Sequence, residues 1–103
     1  YPTINAWSTI ENEFFEAPET AKERYHKLKK EDQYFASSDY LNRIGYEYIW
    51  SEELTKAIAV FELAISEDTE NANLYDSLGE AYFIAKQYDK AKRNYEREEL
   101  YGF

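Results

Sequence analysis

Positive charge is scarce in this chain. Twelve lysines and arginines stand against 21 aspartates and glutamates, for a formal net charge of -9. Phosphate backbones are bound chiefly through lysine and arginine, so nucleic acid and anionic membrane are disfavoured as partners. Glycine (3) and proline (2) are also rare, and no stretch alternates apolar and polar residues with period two, so strands are not expected. Cysteine is absent, which excludes disulfides and is compatible with any redox compartment. No apolar run approaches the length that spans a bilayer, and no basic segment followed by an apolar stretch marks a signal peptide. The chain opens on Tyr1, compatible with an excised or processed piece.

Aromatic rings, by contrast, are abundant: 11 tyrosines and 6 phenylalanines. A ring with a polar tip suits a half-buried groove position as well as a core one. With 103 residues, 44% of them hydrophobic, the chain has enough apolar surface for the core of one domain.

A spacing of 34 residues separates Gly45 from Gly79, and a pattern of side chains travels with it. Leu41, Ile44, Gly45, Tyr48, Ala57 and Phe61 recur at that offset as Tyr75, Leu78, Gly79, Tyr82, Ala91 and Tyr95. A period of this size implies one helix-turn-helix unit copied in tandem, and such units stack into a binding surface rather than a reaction centre. Ile44 with Tyr48, and Leu78 with Tyr82, stand at i and i+4 and share a helical face. Ala57 with Phe61, and Ala91 with Tyr95, put a small residue where two helices approach and a ring one turn later, where the gap widens. Glycine inside a helix costs about 1 kcal/mol against alanine, so Gly45 and Gly79 are expected where a neighbouring helix comes close.

Residues 38 to 103 resemble two consecutive tetratricopeptide repeats, most closely in the segment LYDSLGEAYFIAKQYDKAKRNYE. The family's pattern falls on Leu41, Ile44, Gly45, Tyr48, Ala57, Phe61 and Ala64, then on Tyr75, Leu78, Gly79, Tyr82, Ala91 and Tyr95. Thr69 stands where the family commonly has a proline, and Glu98 replaces the last small residue of the second copy. The resemblance implies an all-α fold of antiparallel helix hairpins stacked as a short right-handed superhelix. A single helical repeat domain, 1–103, is expected, with 38–71 as repeat one, 72–103 as repeat two and 1–36 as a degenerate helical hairpin.

In that first segment Ile4, Trp7, Ile10 and Phe14 make one apolar stripe. Ala17-Pro18 then breaks the pattern, with the proline placed to open a helix running to about Asp32. Its Ala21, Tyr25 and Leu28 repeat the spacing of Ala57, Phe61 and Ala64. Ser37 and Ser38 can cap a helix to about Trp50, and Ser51 another to about Glu67. Asp68 to Asn71 reads as a loop, followed by helices from about Ala72 to Ala85 and from about Tyr88 to Leu100.

Catalytic chemistry finds little support. His26, the only histidine, lies in a basic stretch with no nucleophile at a readable spacing and reads as solvent-facing. Serines 8, 37, 38, 51, 66 and 77 lack a glycine-rich elbow, and cap or surface roles account for them. Adjacent or alternate carboxylates such as Glu52 with Glu53 point to different faces, as a solvated acidic surface would. The run Glu67 to Asn71 has calcium-type ligands without the glycine or ordering of a calcium loop. No catalytic residue, cofactor or metal is therefore expected.

In a stack of such repeats the first helix of each hairpin lines the concave side. The resemblance assigns to that groove Asp39, Asn42, Arg43, Tyr46, Ile49 and Trp50 from the first copy. From the second come Asn73, Asp76, Ser77, Glu80, Phe83 and Ile84. Trp50 is expected either to pack between hairpins or to touch a ligand. Family members that grip chaperone carboxylates use lysine, arginine and asparagine at fixed concave positions. Here Asp39, Asn42, Tyr46, Asp76 and Glu80 hold those places and only Arg43 is basic, so that clamp is not assembled. An acidic, aromatic groove suits a basic or apolar segment instead.

The expected function is thus a non-catalytic interaction module that binds a protein or peptide, or a neighbouring domain of the same polypeptide. The face carrying Tyr88, Ala91, Tyr95 and Leu100 is expected to lack the polar helix that closes such arrays. It leaves room for a second copy as a homodimer, for a partner domain or for further residues. An alternative rests on YLNRIGYEYI, KAIAVFELAI and NLYDSLGEAYF, which resemble the C-terminal repeat region of some bacterial serine hydrolases of esterase or beta-lactamase-like type. The chain would then be an accessory domain, periplasmic or secreted rather than cytoplasmic, with catalytic residues upstream of Tyr1. A third expectation is a purely structural self-association domain.

Overall fold

The computed structural model describes residues 4–31, 34, 35 and 37–102, and the chain divides into two compact units, Tyr1–Ser37 and Ser38–Phe103. The described residues form six helices and one two-residue strand pair.

The first unit runs β1 (Ile4–Asn5), α1 (Ala6–Glu16), α2 (Pro18–Lys29), β2 (Tyr34–Phe35). Asn5 caps α1, its side-chain oxygen accepting from Trp7 N at 2.9 Å and Ser8 N at 3.3 Å. Trp7, Ile10 and Phe14 are buried, as their spacing requires; the side chain of Ile4 and all of Asp32 lie outside the described residues. Trp7 and Phe14 meet edge to face, ring centroids 5.3 Å apart. Ala17 alone joins the helices. Its N–H donates to Glu13 O at 2.8 Å and its carbonyl accepts from Ala21 N at 3.0 Å. Pro18 fits the first turn of α2, where the missing N–H has no intrahelical partner to lose. Ala21, Tyr25 and Leu28 are buried. β1 and β2 pair in parallel, Ile4 with Tyr34 and Asn5 with Phe35. That pair departs from the expectation of no strands: two residues are too few to leave a period-two pattern.

The second unit contains α3 (Ser38–Trp50), α4 (Leu54–Glu67), α5 (Ala72–Ile84) and α6 (Tyr88–Tyr101). The 34-residue offset is visible as geometry. Between α3 and α4, Glu52 N donates to Ile49 O at 3.0 Å and Glu53 N to Tyr48 O at 2.8 Å; between α5 and α6, Lys86 N donates to Phe83 O at 3.0 Å and Gln87 N to Tyr82 O at 2.9 Å. The middle residue of each turn, Glu52 or Lys86, has φ 63°, in the left-handed region. This break moves the start of α4 from Ser51 to Leu54. Ser51 consequently caps nothing; its hydroxyl contacts Tyr48 O at 3.2 Å and Glu53 Oε2 at 3.0 Å.

Both glycines have a packing reason, and it is an aromatic ring on the second helix of the same hairpin. A Cβ on Gly45 would stand 2.2 Å from Phe61 Cε1, and one on Gly79 would stand 2.8 Å from Tyr95 Cε1. The lysine and tyrosine contacts repeat too: Lys56 Nζ lies 5.8 Å from the Tyr48 ring centroid and Lys90 Nζ 5.5 Å from that of Tyr82. Between the hairpins, Ala57 and Phe61 of α4 meet Leu78 and Ala81 of α5 in one buried cluster, with Ile49, Ile58, Ile65 and Tyr82 packed around it. No helix among the described residues is long and apolar enough to cross a membrane.

Candidate protein-binding surface

Two side-chain pairs join α3 to α5. Tyr46 donates its hydroxyl to Glu80 Oε2 at 2.8 Å. Ser77 Oγ lies 2.5 Å from Asn42 Oδ1 and 2.9 Å from Asn73 O. One hydroxyl proton serves one acceptor at a time; turning the Asn42 amide so that its NH2 donates lets both bonds form. Ser77 is buried at 2% exposure, so the surface or capping role expected of it gives way to a link between helices. Burial raises the Tyr46 phenol above its ordinary pKa, and the hydrogen bond and charge of Glu80 add to that.

The candidate residues divide by what they touch. Asn42, Tyr46, Ser77 and Glu80 bond to one another and set the spacing of α3 and α5. Ile49 is half-buried against the interhairpin cluster. Asp39, Arg43 and Asn73 are exposed, with the Arg43 guanidinium 5.1 Å from the Tyr40 ring centroid. Trp50 is 74% exposed and does not pack between hairpins; its ring tilts against Tyr46, centroids 6.3 Å apart. Ile84, at the position equivalent to Trp50 one repeat later, is 45% exposed. The α3–α5 face therefore carries Trp50 and Ile84 as open apolar groups beside the Tyr46 and Glu80 pair.

Acidic groups gather on α5 and α6. Desolvation, then the hydrogen bond that a protonated Glu98 donates to Asp76 and the negative charge of Asp76, raise the Glu98 pKa, with Glu99 adding to the effect. The Tyr95 phenol is likewise raised, by desolvation first and then by Asp76, Glu80 and Glu98. Asp76 thus lies close to the Glu98 carboxyl and the Tyr95 phenol.

Phe83 belongs to a different place from Trp50. Its ring meets Tyr88 at 5.4 Å, edge to face, and both wall an open cleft of about 370 Å³ with Ala91 and Tyr95. Lys92, Glu96 and Glu99 also line it, while Leu100, exposed at 69%, does not. A separate cleft of about 270 Å³ holds Lys90, Arg93 and Arg97 beside Glu62 and Tyr82. Sequence reading found Ala91 and Tyr95 through the repeat and Tyr88 as part of the face left open at the end of the array, and missed the charged residues around them, whose positions in the repeat carry no pattern.

Among the described residues, no three histidine or carboxylate side chains converge as a metal ion would require. Asp68 instead accepts from Ser38 Oγ at 3.1 Å and Asn71 Nδ2 at 2.8 Å, tying the loop before α5 to the start of α3. His26 is half-buried rather than solvent-facing, its ring 6.1 Å from that of Tyr25. Comparison of the chain with known protein families, with curated proteins and with solved structures finds no match.

Proposed function

We propose that Ser38–Phe103 is a pair of tetratricopeptide-type repeats, part of a short right-handed superhelix, and that it binds a basic or apolar protein segment without catalysis. The observation that carries this reading is the 34-residue offset reproduced in the turns, the glycine-ring contacts and the lysine-tyrosine contacts of both hairpins. The bound segment lies along α3 and α5, between the exposed Trp50 and Ile84, with Glu80, Asp76 and Asp39 supplying negative charge. A net charge of -9 speeds encounter with a cationic partner and repels an acidic one.

The test uses matched synthetic peptides of about 15 residues, lysine-rich or glutamate-rich with the same aromatic positions, a length that spans two repeats at extended-chain rise. Trp50 reports directly, because Trp7 is buried at 1% exposure and should not respond. The lysine-rich series is expected to shift Trp50 emission to the blue, and Trp50→Ala with Ile84→Ser to weaken binding by about tenfold or more. Thermal stability should change little, since both side chains are exposed. Equal binding of the two series, or unaltered affinity in the double variant, would refute the proposal.

A further inference from the structure

We infer that the cleft between α5 and α6 is a second docking site, made to receive one face of a basic amphipathic helix. It is separate from the α3–α5 surface proposed above.

The argument is the molecule's own repeat. Moved back by 34 residues, Phe83, Ala91, Lys92, Tyr95 and Glu99 fall on Ile49, Ala57, Ile58, Phe61 and Ile65. Two of those five, Ala57 and Phe61, share a buried cluster with Leu78 and Ala81 of α5, and the other three, Ile49, Ile58 and Ile65, pack against that cluster together with Tyr82. A sixth, Glu96, falls on Glu62, whose Oε1 lies 3.5 Å from the Tyr82 hydroxyl. The cleft is the seat of α5 carried one repeat onward and open to solvent: Phe83 and Tyr88 are each 56% exposed. The occupant's chemistry follows from what fills the first seat: a large apolar residue, then a small one three positions on, then an aromatic next to it, on one helical face.

Charge narrows the choice. Lys92 and Glu99 replace Ile58 and Ile65, so the second seat is wetter and carries two carboxylates, Glu96 and Glu99, against one ammonium. With a chain charge of -9, the rim favours a cationic helix. A second copy of the chain is a poor occupant. The face of α5 that carries the required residues is already buried against α4, Leu78 at 5% and Ala81 at 0% exposure, and two copies would each bring the same negative charge.

The decisive experiment titrates the isotopically labelled 103-residue chain with a peptide copying residues 70–87 that carries Asp76→Lys, Gly79→Ala and Glu80→Lys. Amide shifts should map to Phe83, Tyr88, Lys92, Tyr95 and Glu99 with a Kd of about 10–100 μM. Phe83→Ser with Tyr88→Ser should weaken binding about tenfold or more while circular dichroism stays unchanged, and Trp50→Ala should leave it intact. The inference fails if about 1 mM peptide moves no resonance in the cleft. It fails equally if the double variant binds as well as the parent, or if the cleft proves to be occupied by a second copy in a dimer that the peptide does not displace.

Discussion

The hairpins α3–α4 and α5–α6 share a turn, a glycine-ring contact and a lysine-tyrosine contact, yet their second helices are opposite in character. In α4, Val60, Phe61, Leu63 and Ala64 are buried, Phe61 in a cluster with Leu78 and Ala81 of α5. Their partners at the same offset in α6 are Asn94, Tyr95, Arg97 and Glu98. The positions that build a hairpin recur, whereas the positions that bury it against a neighbour do not. Backbone geometry is set inside each hairpin; apolar character at the outward positions is required only where another helix covers them. This also qualifies the expectation of an end without a polar helix. Much of α6 is polar, and the open apolar part is confined to the cleft around Phe83 and Tyr88.

The sharpest way to break the comparison is to exchange outward residues. Ala64→Glu buries a carboxylate where Ala64 is 0% exposed, and it should destabilise the chain by at least about 3 kcal/mol. The reciprocal Glu98→Ala should stay within about 0.5 kcal/mol of the parent or stabilise it. Chemical denaturation measures both; similar losses would mean that α6 is as enclosed as α4.

Smaller but more diagnostic is alanine at each glycine. Both changes gain about 1 kcal/mol of helix propensity, and the difference lies in what the new methyl meets. At Gly45 it would come 2.2 Å from a Phe61 ring that is 0% exposed and has nowhere to go, so Gly45→Ala should cost about 2 kcal/mol or more net. At Gly79 it meets the half-buried Tyr95 ring at 2.8 Å, which can swing outward, and the net change should lie within about 1 kcal/mol of zero. Denaturation midpoints that fall equally for both variants would refute this account.

The smallest effect concerns pH. Desolvation and Asp76 raise the Glu98 pKa in the folded chain, so protonation favours folding. The cost of its charge is present above that raised pKa and is relieved as pH falls through it. Glu98→Gln should therefore raise the melting temperature by about 1–2 °C at neutral pH, a difference that closes on acidification. A gap independent of pH would assign the effect to something other than this carboxyl.

Much of the helical layout could be read from the chain because it depends on local spacing. The stripe of Trp7, Ile10 and Phe14, the proline opening α2 and the loop before Ala72 are properties of neighbouring residues. The turn at Glu52 and Lys86 was hidden, since neither is the glycine or asparagine that ordinarily announces a positive φ. The two-residue strand pair was hidden for want of length. At the candidate site, repeat arithmetic located α3 and α5 positions, yet it could not tell that Asn42, Tyr46, Ser77 and Glu80 bond to each other while Trp50 and Phe83 open onto different places.

From residue order came the helical class, the 34-residue unit and the two glycines as points of close helix approach, because these follow from periodicity along a single helix or between helices a short turn apart. Assembly settled which copies of each position are covered: Phe61 is enclosed and Tyr95 is half-open although both lie on a glycine. That outcome depends on the presence of α5 against α4, a contact between distant segments that leaves only a faint trace in the spacing of either one.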